Sequence, residues 1–303
     1  MKVLITGASG LIGGRLIRHL LAAGGVEIHA ASRVQRVWPD GVWGTLVDFS
    51  EPRTLEEACE NADAVVNLAS MSEAACAGDP YAALRANGGG TLTLVSAAAR
   101  AQVPRFVQVS TNKVYGNNPV GTITEDSPGV PQSHYAITHR LAEDYARSQH
   151  VNSVIFRLAN GFGAPVTTAS GGWDVIINGM CREAVLKRQI TIRSSGRTWR
   201  NFIPLSDVVC ALRLALANMP PGIYNLGAAQ SMTLRGAADR IASLCRETLG
   251  FQPNVHVGTT MGDEATSPLD YCISKLSLSG FTPEASFEEE VKATLLRALA
   301  ISP

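Results

Sequence analysis

Short apolar runs alternate with longer segments of helical periodicity along the first half of the chain. Residues 3–5 form a continuous apolar run, which is typical of a strand buried on both faces. From Leu11 the apolar positions recur at helical spacing until Gly24, and glycine commonly follows the last residue of a helix. This alternation predicts an α/β fold with a parallel sheet covered by helices on both faces. The further elements predicted in this half are strands at 26–31, 64–68, 105–109 and 154–158, and helices around 55–61 and 81–101.

The second half of the chain is less regular than the first. Residues 160–200 are rich in Gly, Ser and Thr, and they predict loops with one helix around 175–186. Three more helices are predicted at 208–217, 234–249 and 287–299. A chain of 303 residues has room for one large domain or two lobes.

Composition and net charge exclude several classes of protein and several kinds of binding partner. Hydrophobic residues make up 46% of the chain and charged residues 17%, which excludes disordered and fibrous proteins. The 26 basic and 26 acidic residues cancel, so we expect no nucleic acid and no membrane as partner. No two of the six cysteines form a CxxC pair, so we predict no metal site and no disulfide framework. No signal peptide or apolar run of about 18 residues is found, so we expect a cytoplasmic protein.

A glycine-rich turn, GASGLIG, lies between the first strand and the first helix. The spacing of Gly7, Gly10 and Gly13 allows a tight turn, close approach of the backbone to a pyrophosphate, and close packing of helix against strand. The N–H groups at the start of the helix, at Leu11 and Ile12, carry the positive end of its dipole. These features predict a dinucleotide-binding site.

The end of the second strand bears on the choice of cofactor. An acidic residue about 20 positions after the glycines usually binds the ribose 2′-hydroxyl of NAD. Ser32 and Arg33 stand there instead, with Arg36 close by and no carboxylate. Because a hydroxyl beside an arginine suits a 2′-phosphate, we predict NADP in preference to NAD. In the alternative interpretation the two arginines are solvated loop charges and NAD remains the cofactor.

Ordered motifs along nearly the whole chain resemble the extended short-chain dehydrogenase/reductase family of nucleotide-sugar epimerases and dehydratases. The opening ITGASGLIG is similar to TGxxGxxG, and STNKVYG at 110–116 is similar to SSxxVYG. Tyr135 follows 24 residues after Thr111, where that family has its catalytic tyrosine. Segments RLAN at 157–160 and RNFI at 200–203 resemble the family's RxxN and RDF motifs.

The resemblance implies an enzyme with a Rossmann-type doubly wound parallel sheet and a smaller, mixed C-terminal substrate lobe. The dinucleotide-binding domain is predicted at 1–159 plus roughly 200–226, and the substrate lobe at 160–199 and 227–303. Asp48 matches the acid that contacts the adenine, and Asn87 matches an asparagine of the central helix. Beyond the glycine turn, the implied cofactor-binding residues are Ser32, Arg33, Asp48, Phe49, Leu68, Ala69, Ser70, Asn87, Tyr135 and His139.

The implied catalytic residues are Tyr135, Thr111 and His139. A phenol with a pKa near 10 is a poor base at neutral pH unless its anion is stabilised. In the family a lysine within YxxxK supplies positive charge and holds the nicotinamide ribose, but this chain reads YAITH. The histidine keeps the i, i+4 position on the same helix face and is mostly neutral at pH 7. Lys113 is an alternative source of positive charge.

The resemblance also implies a sugar-nucleotide substrate. The family's RxGD segment is represented by TMGD at 260–263, which lacks the arginine that suits a diphosphate. Arg200 is the main replacement, with Arg193 and Arg197 close to it in the sequence. The substrate-binding residues predicted are Thr111, Asn112, Asn160, Arg193 and Arg200.

Three functions remain open on this reasoning. The first is an NAD(P)-dependent 4-epimerase, because Asn112 and Lys113 stand where dehydratases place an acid beside the catalytic threonine. The second is an NADPH-dependent ketoreductase on a keto-sugar or a smaller carbonyl compound. The third is a catalytically silent cofactor-binding protein, because histidine replaces lysine at 139. The family resemblance further implies a homodimer through the helices around 85–100 and 134–149.

Overall fold

The computed structural model describes residues 1–150, 152–167, 171–260 and 266–301. Its strands are β1 (Lys2–Thr6), β2 (Glu27–Ser32), β3 (Val42–Leu46), β4 (Ala64–Asn67), β5 (Arg105–Thr111), β6 (Gly121–Ile123), β7 (Ser153–Leu158), β8 (Asn160–Phe162), β9 (Gln189–Ser194), β10 (Trp199–Pro204), β11 (Gly222–Leu226), β12 (Ser231–Thr233), β13 (Asn254–Thr260) and β14 (Leu269–Tyr271). Its α-helices are α1 (Leu11–Ala23), α2 (Pro52–Cys59), α3 (Glu73–Gly78), α4 (Pro80–Ala83), α5 (Gly90–Arg100), α6 (His134–Gln149), α7 (Ile176–Lys187), α8 (Leu205–Leu216), α9 (Leu234–Leu249), α10 (Ser274–Leu278) and α11 (Phe287–Ala300). A π-helical turn (Leu84–Gly89) joins α4 to α5, and a 3₁₀ turn (Asn112–Tyr115) follows β5.

Seven strands form one sheet in the order β11-β7-β5-β4-β1-β2-β3. Neighbouring strands from β3 to β7 are all parallel. The order runs outward from β1 in both directions, so the chain reverses its winding there and leaves a crevice at the carboxyl ends of β1 and β4. This arrangement confirms the predicted Rossmann-type doubly wound fold.

The first compact unit comprises residues 1–117, 128–158 and 211–224. All six residues of β7 and all four of β4 are buried, which explains why these strands read as apolar runs rather than alternating patterns. Leu4, Val65, Phe106 and Ile155 come from four neighbouring strands and join one apolar cluster. A well-packed sheet centre of this kind fixes the positions of the loops that leave its strand ends.

The second compact unit comprises residues 118–127, 159–210 and 225–303. Its core lies between α7, α9 and α11, where Ile177, Ile241 and Leu295 are almost completely buried. Its small sheets are β12-β10-β8, β13-β9 and β14-β6, and the first of them mixes parallel and antiparallel pairs. The unit therefore has the mixed architecture that the family resemblance implied.

The expectation of loops with one helix at 160–200 was incomplete, because β8, β9 and the first two residues of β10 also lie there. These strands are short, and their partners are distant in sequence: β9 pairs with β13 across some sixty residues. Local patterns carry little information on such pairings. Among the described residues, no helix combines the length and the apolar character that crossing a membrane requires.

Candidate active site

The glycine turn follows β1 and has a shape that larger residues cannot adopt. Gly7 has φ +63°, and a Cβ atom there would lie 2.6 Å from the backbone carbon and oxygen of Leu68. A Cβ atom at Gly13 would overlap the Gly7 carbonyl and lie 2.7 Å from the Cα of Ala8. The turn is thus packed directly against the loop after β4, and α1 is packed directly against the turn.

The N-terminus of α1 is suited to an anion. Its N-cap, Gly10, provides no side chain to accept hydrogen bonds from the first turn of the helix, and that turn carries no acidic residue. The backbone N–H groups of Leu11 and Ile12 are therefore left to an external acceptor, and the helix dipole adds partial positive charge. A cofactor pyrophosphate fits this end of the helix.

The carboxyl end of β2 carries a hydroxyl and a guanidinium rather than an acid. Ser32 is the last residue of β2, and Arg33 follows it with an exposed side chain. Asp48 lies two residues after the end of β3. Its carboxylate accepts hydrogen bonds from the Ser50 backbone N–H at 2.8 Å and the Ser50 hydroxyl at 2.6 Å. These bonds lower the pKa of Asp48, and the charge of Arg33 lowers it further. Asp48 is thus ionised and close enough to Arg33 to feel its charge.

A buried amide holds the loop that Gly7 touches. The Asn67 oxygen accepts hydrogen bonds from the Thr6 hydroxyl at 2.6 Å and from the Ala69 backbone N–H at 3.3 Å. Its nitrogen donates to Gln108 at 2.8 Å. Residues 68–70 therefore leave β4 in a fixed direction. Their predicted contact with the cofactor stays a prediction, as does that of Phe49, whose ring packs against Gly90 of α5.

Asn87 is buried in the π-helical turn, and both ends of its amide bond within the protein. Its oxygen accepts from the Met71 backbone N–H at 2.8 Å. Its nitrogen donates to the Thr138 hydroxyl at 3.0 Å and approaches the Cys76 sulfur at 3.5 Å. Asn87 thus ties the loop after β4, α3 and α6 together, which is a positioning task beside its predicted contact with the cofactor.

Tyr135 and Thr111, the predicted proton-transfer residues, are brought together. Thr111 ends β5 and is 6% exposed, and Tyr135 lies in the first turn of α6, whose N-cap Ser133 accepts from Ala136 at 3.2 Å. Burial raises the pKa of Tyr135 to about 12, the negative charge of Glu73 raises it as well, and the hydrogen bond with Thr111 opposes both. The resting phenol is consequently protonated at neutral pH.

His139 lies one helical turn beyond Tyr135 and is 4% exposed. The two rings meet edge to face, with centroids 4.4 Å apart. Neither ring nitrogen has a hydrogen-bond partner in the part of the chain that the structure describes. Burial lowers the pKa of His139 to about 4, so the imidazole is neutral at pH 7. Buried polar atoms usually have partners, so these nitrogens fit a ligand hydroxyl such as that of a ribose.

Sequence reasoning missed Glu73 and left the place of Lys113 open. Glu73 is the first residue of α3, behind the N-cap Ser72. Its carboxylate forms an ion pair with the Lys113 ammonium, which extends from the 3₁₀ turn after Thr111. A serine followed by a glutamate is an ordinary helix-start signal. Nothing in that signal places the glutamate near the catalytic tyrosine.

A buried ion pair joins β7 to α6 next to Thr111. Arg157 on β7 and Glu143 on α6 are 2% and 0% exposed, with Nη2 and Oε2 2.8 Å apart. The Ser110 hydroxyl donates to Glu143 at 2.6 Å, and Arg157 donates to the Tyr115 hydroxyl at 2.9 Å. Glu143 lies four residues after His139 on the same face of α6, so it fixes the rotation of that helix relative to β5 and β7.

The predicted substrate residues divide between the two units. Asn112 lies in the 3₁₀ turn beside Thr111, within the first unit. In the second unit, Asn160 donates to the Asn201 carbonyl at 2.9 Å, Arg200 donates to Asn118 at 2.8 Å, and Arg193 is exposed on β9. Their roles stay predictions. Of the segment TMGD, residues 261–263 lie outside the described residues.

Comparison with known proteins identifies the family. The protein-family sequence model described as "NAD dependent epimerase/dehydratase family" matches residues 3–227. The chain is 26% identical to the low-salt glycan biosynthesis protein Agl12 of Haloferax volcanii, with 97% of each chain covered. It is 24% identical to a dTDP-glucose 4,6-dehydratase of Streptomyces niveus, over 97% of this chain and 92% of the relative. The UDP-glucose 4-epimerase of Thermus thermophilus, solved with NAD, is similar with a TM-score of 0.82 and 26% identity over 100% of both chains.

These similarities span the glycine turn, Thr111 and Tyr135, and they confirm the expectation of an enzyme. They include both epimerases and dehydratases that act on nucleotide sugars, so they fix the family rather than the reaction. The chain belongs to the NAD-dependent epimerase/dehydratase family, within the extended short-chain dehydrogenases/reductases.

Proposed function

We propose that this enzyme is an NAD(P)-dependent 4-epimerase of a sugar nucleotide. The observation that carries the proposal is the Tyr135 phenol beside the Thr111 hydroxyl, in the unit that also holds the glycine turn. Asn112 and Lys113 follow Thr111 where the family's dehydratases carry an acid, and neither side chain can act as a carboxylic acid. A 4-epimerase needs only one proton acceptor and donor, and Tyr135 can serve as both.

The hydroxyls of Tyr135 and Thr111 bind the oxygen on the reacting sugar carbon. Tyr135, in its ionised form, accepts the proton of that hydroxyl as the C–O bond becomes C=O, while Thr111 holds the oxygen by a hydrogen bond. A nicotinamide held by the glycine turn and His139 would supply the hydride acceptor, and later the hydride donor, for the same carbon. After the keto sugar has presented its opposite face, Tyr135 returns its proton to the oxygen, so no net oxidation occurs.

Residues of the glycine turn and His139 would hold the cofactor. The N–H groups at Leu11 and Ile12 would hold the pyrophosphate, and the two ring nitrogens of His139, which have no partner among the described residues, would bind a hydroxyl of the nicotinamide ribose. Because His139 is neutral, it would orient the ribose without giving the phenol a positive charge. Tyr135 ionises with a pKa of about 12, so its ionised fraction grows tenfold per pH unit. We therefore expect kcat to rise with pH across the neutral range.

The same protonated phenol favours a second candidate, a ketoreductase. A reductase begins its chemical step with Tyr135 protonated, since the phenol then donates to the carbonyl oxygen as hydride reaches the carbon. The high pKa of Tyr135 keeps the phenol in that state. In this case the phenol must regain a proton from solvent after each turnover, and the enzyme consumes NADPH.

We also propose that NADP binds more tightly than NAD. Support comes from the carboxyl end of β2, where Ser32 and the exposed Arg33 stand in place of an acid. A 2′-phosphate would find a hydroxyl donor and a cation there. The Thermus thermophilus epimerase was solved with NAD, so both cofactors belong in the binding experiment.

A homodimer through α5 and α6 is likewise a proposal. Ile137 on α6 and Leu84 beside α5 are each 48% exposed, and a second copy would cover them. Light scattering coupled to size exclusion tests this point: a dimer mass is expected for the wild type, and a monomer mass for Ile137→Asp. A monomer mass for the wild-type chain would refute it.

The test of function uses UDP-glucose and dTDP-glucose, which are substrates named for the relatives. An epimerase converts either one to its 4-epimer, observed by NMR, without added cofactor and without change of mass. A product lighter by one water would show dehydration and refute the proposal. Consumption of added NADPH with a 4-keto sugar nucleotide would favour the ketoreductase.

Tyr135→Phe separates the mechanism from simple binding. We expect kcat to fall by about 10²- to 10⁴-fold, because the proton acceptor is lost while the ring remains. Calorimetric binding of NAD and NADP should change less than threefold, a rough bound on a contact not made through the phenol oxygen. Tyr145→Phe on the same helix is the matched control, and its kcat should equal that of the wild type. Unchanged turnover in Tyr135→Phe would overturn the assignment.

A further inference from the structure

We propose that Asn201 is a positioning residue that holds two predicted substrate-binding residues, Asn160 and Arg200, in place for the diphosphate of a sugar nucleotide. The inference rests on the proposed function and adds to it a residue that no step of the reaction uses. Asn201 is the second residue of the segment RNFI, where the resembling family has the acid of its RDF motif. The contacts of Asn201 explain why an amide stands there.

Asn201 lies where strand β10 changes partners. Residues 199–201 of β10 pair with β12 in antiparallel register, and residues 202–204 pair with β8 in parallel register. Asn201 is 1% exposed. It therefore connects the part of β10 that carries Arg200 with the part that lies beside Asn160 of β8.

The amide of Asn201 makes two hydrogen bonds to one peptide residue, and a carboxylate could make only one of them. Its oxygen accepts from the Ala228 backbone N–H at 2.8 Å, and its nitrogen donates to the Ala228 carbonyl at 2.9 Å. The same nitrogen donates to the Ser231 hydroxyl at 3.4 Å. A carboxylate there would turn one of its oxygens towards the Ala228 carbonyl oxygen, in a buried place where an unpaired charge is costly. The partners of the side chain thus require asparagine.

The space around the amide is filled by the segment that follows β11. A Cβ atom at Gly227 would lie 2.7 Å from the Asn201 side-chain oxygen and 2.7 Å from a ring carbon of Tyr271. Glycine lets the backbone pass this close to the amide. Because buried groups are closely packed here, a change at Asn201 is expected to displace the backbone rather than to be absorbed by a side chain.

Both predicted substrate residues depend on the backbone that Asn201 holds. The Asn160 side-chain nitrogen donates to the Asn201 backbone carbonyl at 2.9 Å. Arg200 precedes Asn201 in the chain, and its guanidinium donates to the Asn118 side-chain oxygen at 2.8 Å. Charge-assisted contacts to a phosphate require well-placed donors. A displaced backbone at 200–201 should therefore weaken binding of a nucleoside diphosphate.

The experiment measures binding and turnover separately. UDP, dTDP and NADP are titrated calorimetrically into the wild type and Asn201→Asp, and KM and kcat are measured with the sugar nucleotide that the wild type converts. Asn201→Asp introduces the acid of the family motif, yet it should weaken binding of UDP and dTDP about tenfold and raise KM to the same extent. NADP affinity and kcat should change less than about twofold, because the glycine turn, Thr111 and Tyr135 belong to the first unit.

Asn201→Ala is the second variant, and it covers the case in which the buried carboxylate prevents folding. It removes both hydrogen bonds to Ala228 without adding a charge. Binding of UDP and dTDP should weaken about three- to tenfold, with the affinity for NADP again unchanged. Unchanged nucleotide affinity and KM in the folded Asn201 variants would reduce the residue to a purely structural role and overturn the proposal.

The matched control is Asn225, a fully buried asparagine of the same unit. Its amide nitrogen donates to the carbonyls of Ile123 and Cys272, each at 3.1 Å, and neither is a predicted substrate residue. Asn225→Asp therefore sets a buried carboxylate against carbonyl oxygens, as Asn201→Asp does. Urea denaturation should show reduced stability in both variants, whereas only Asn201→Asp should lose nucleotide affinity. Equal losses of nucleotide affinity in the two variants would also overturn the proposal.

The two measurements keep this inference apart from the proposed function. Nucleotide affinity that is lost in the Asn201 variants of a chain without Tyr135-dependent turnover would support the positioning role and refute the function. Tyr135-dependent turnover with the same KM in wild type and Asn201 variants would support the function and refute the positioning role. A wild-type chain that binds neither UDP nor dTDP would refute the positioning role, whatever its turnover.

Discussion

The glycine turn and the catalytic helix α6 are constrained by different physical properties: the first by the space around Gly7, the second by the protonation of Tyr135. The turn is determined by shape: a Cβ atom at Gly7 would lie within 2.6 Å of the Leu68 backbone, so only glycine fits. In α6 the requirement concerns the protonation state of the Tyr135 phenol. His139 stands there in place of the family's lysine, while Tyr135 and, on β5, Thr111 match the family's motifs. A steric requirement leaves no substitute, whereas a charge requirement can be met from another position.

The largest expected effect concerns the protonation of His139. Its pKa is near 6.5 in the unfolded chain and about 4 in the folded one, so the unfolded state binds more protons between those values. Stability should therefore fall as the pH drops from about 6.5 to about 4, by about 3 kcal/mol in total. Urea denaturation of the apoprotein at a series of pH values measures this loss.

His139→Gln is the variant for this prediction, because an amide does not titrate. Most of the acid-induced loss of stability attributed to residue 139 should disappear in it. His256→Gln replaces an exposed histidine and should leave the pH dependence as it is in the wild type. Identical pH dependence in all three proteins would show that His139 is not buried in its neutral form.

A steric change in the turn comes next. Gly7→Ala should weaken binding of NAD and NADP by about a hundredfold, because positive φ and the clash with Leu68 displace the turn at a cost of roughly 3 kcal/mol. Calorimetric titration gives the dissociation constants. The control is Gly24→Ala, where φ is +70° but no atom lies within 4 Å. It should lose about 1 kcal/mol of stability and keep its cofactor affinity, and equal effects in both variants would remove the steric argument.

Placing the family's lysine at position 139 tests whether the protonation of Tyr135 depends on charge. His139→Lys places a cation one helical turn from Tyr135 and should lower the pKa of the phenol by about one unit, raising kcat at pH 7 about tenfold. Ile137→Lys adds the same charge on the exposed face of α6 and should have no such effect. If His139→Lys folds and binds cofactor but turns over more slowly, the imidazole has a task of its own.

The smallest effect is expected for Arg33, which is predicted to contact the 2′-phosphate of NADP. Arg33→Gln should weaken NADP binding about tenfold and NAD binding less than twofold, since one charge-assisted contact to a 2′-phosphate is lost. Arg53→Gln, an exposed arginine on α2, is the matched control and should alter neither constant. Equal losses for the two cofactors would show that Arg33 does not contact the 2′-phosphate.

Much of the first unit could be predicted from the sequence, because its information is local. The apolar runs of β1, β4, β5 and β7 reflect burial on both faces. In the second unit, α9 was predicted with the bounds it has. β3 was not predicted. It is an edge strand with Gly44 at its centre and Trp43 63% exposed, so pairing with β2 rather than its own pattern makes it a strand.

The site divides in the same way. Motif spacing predicts that Tyr135 and Thr111 act together, since the end of a strand and the start of a helix are fixed by the fold. Glu73 and Glu143 could not be found, because each acts through a partner distant in sequence: Lys113 for the first and Arg157 for the second. A single sequence does not report which carboxylate meets which cation.

Asn87 has a consequence for anyone who recombines members of this family. One amide bonds to Met71 before α3, to Cys76 within it and to Thr138 between Tyr135 and His139. Segments on either side of it are therefore not interchangeable parts. A chimera that takes its α3 loop from one relative and its catalytic helix from another inherits a mismatch at this amide, and grafts should carry both segments together with the π-helical turn.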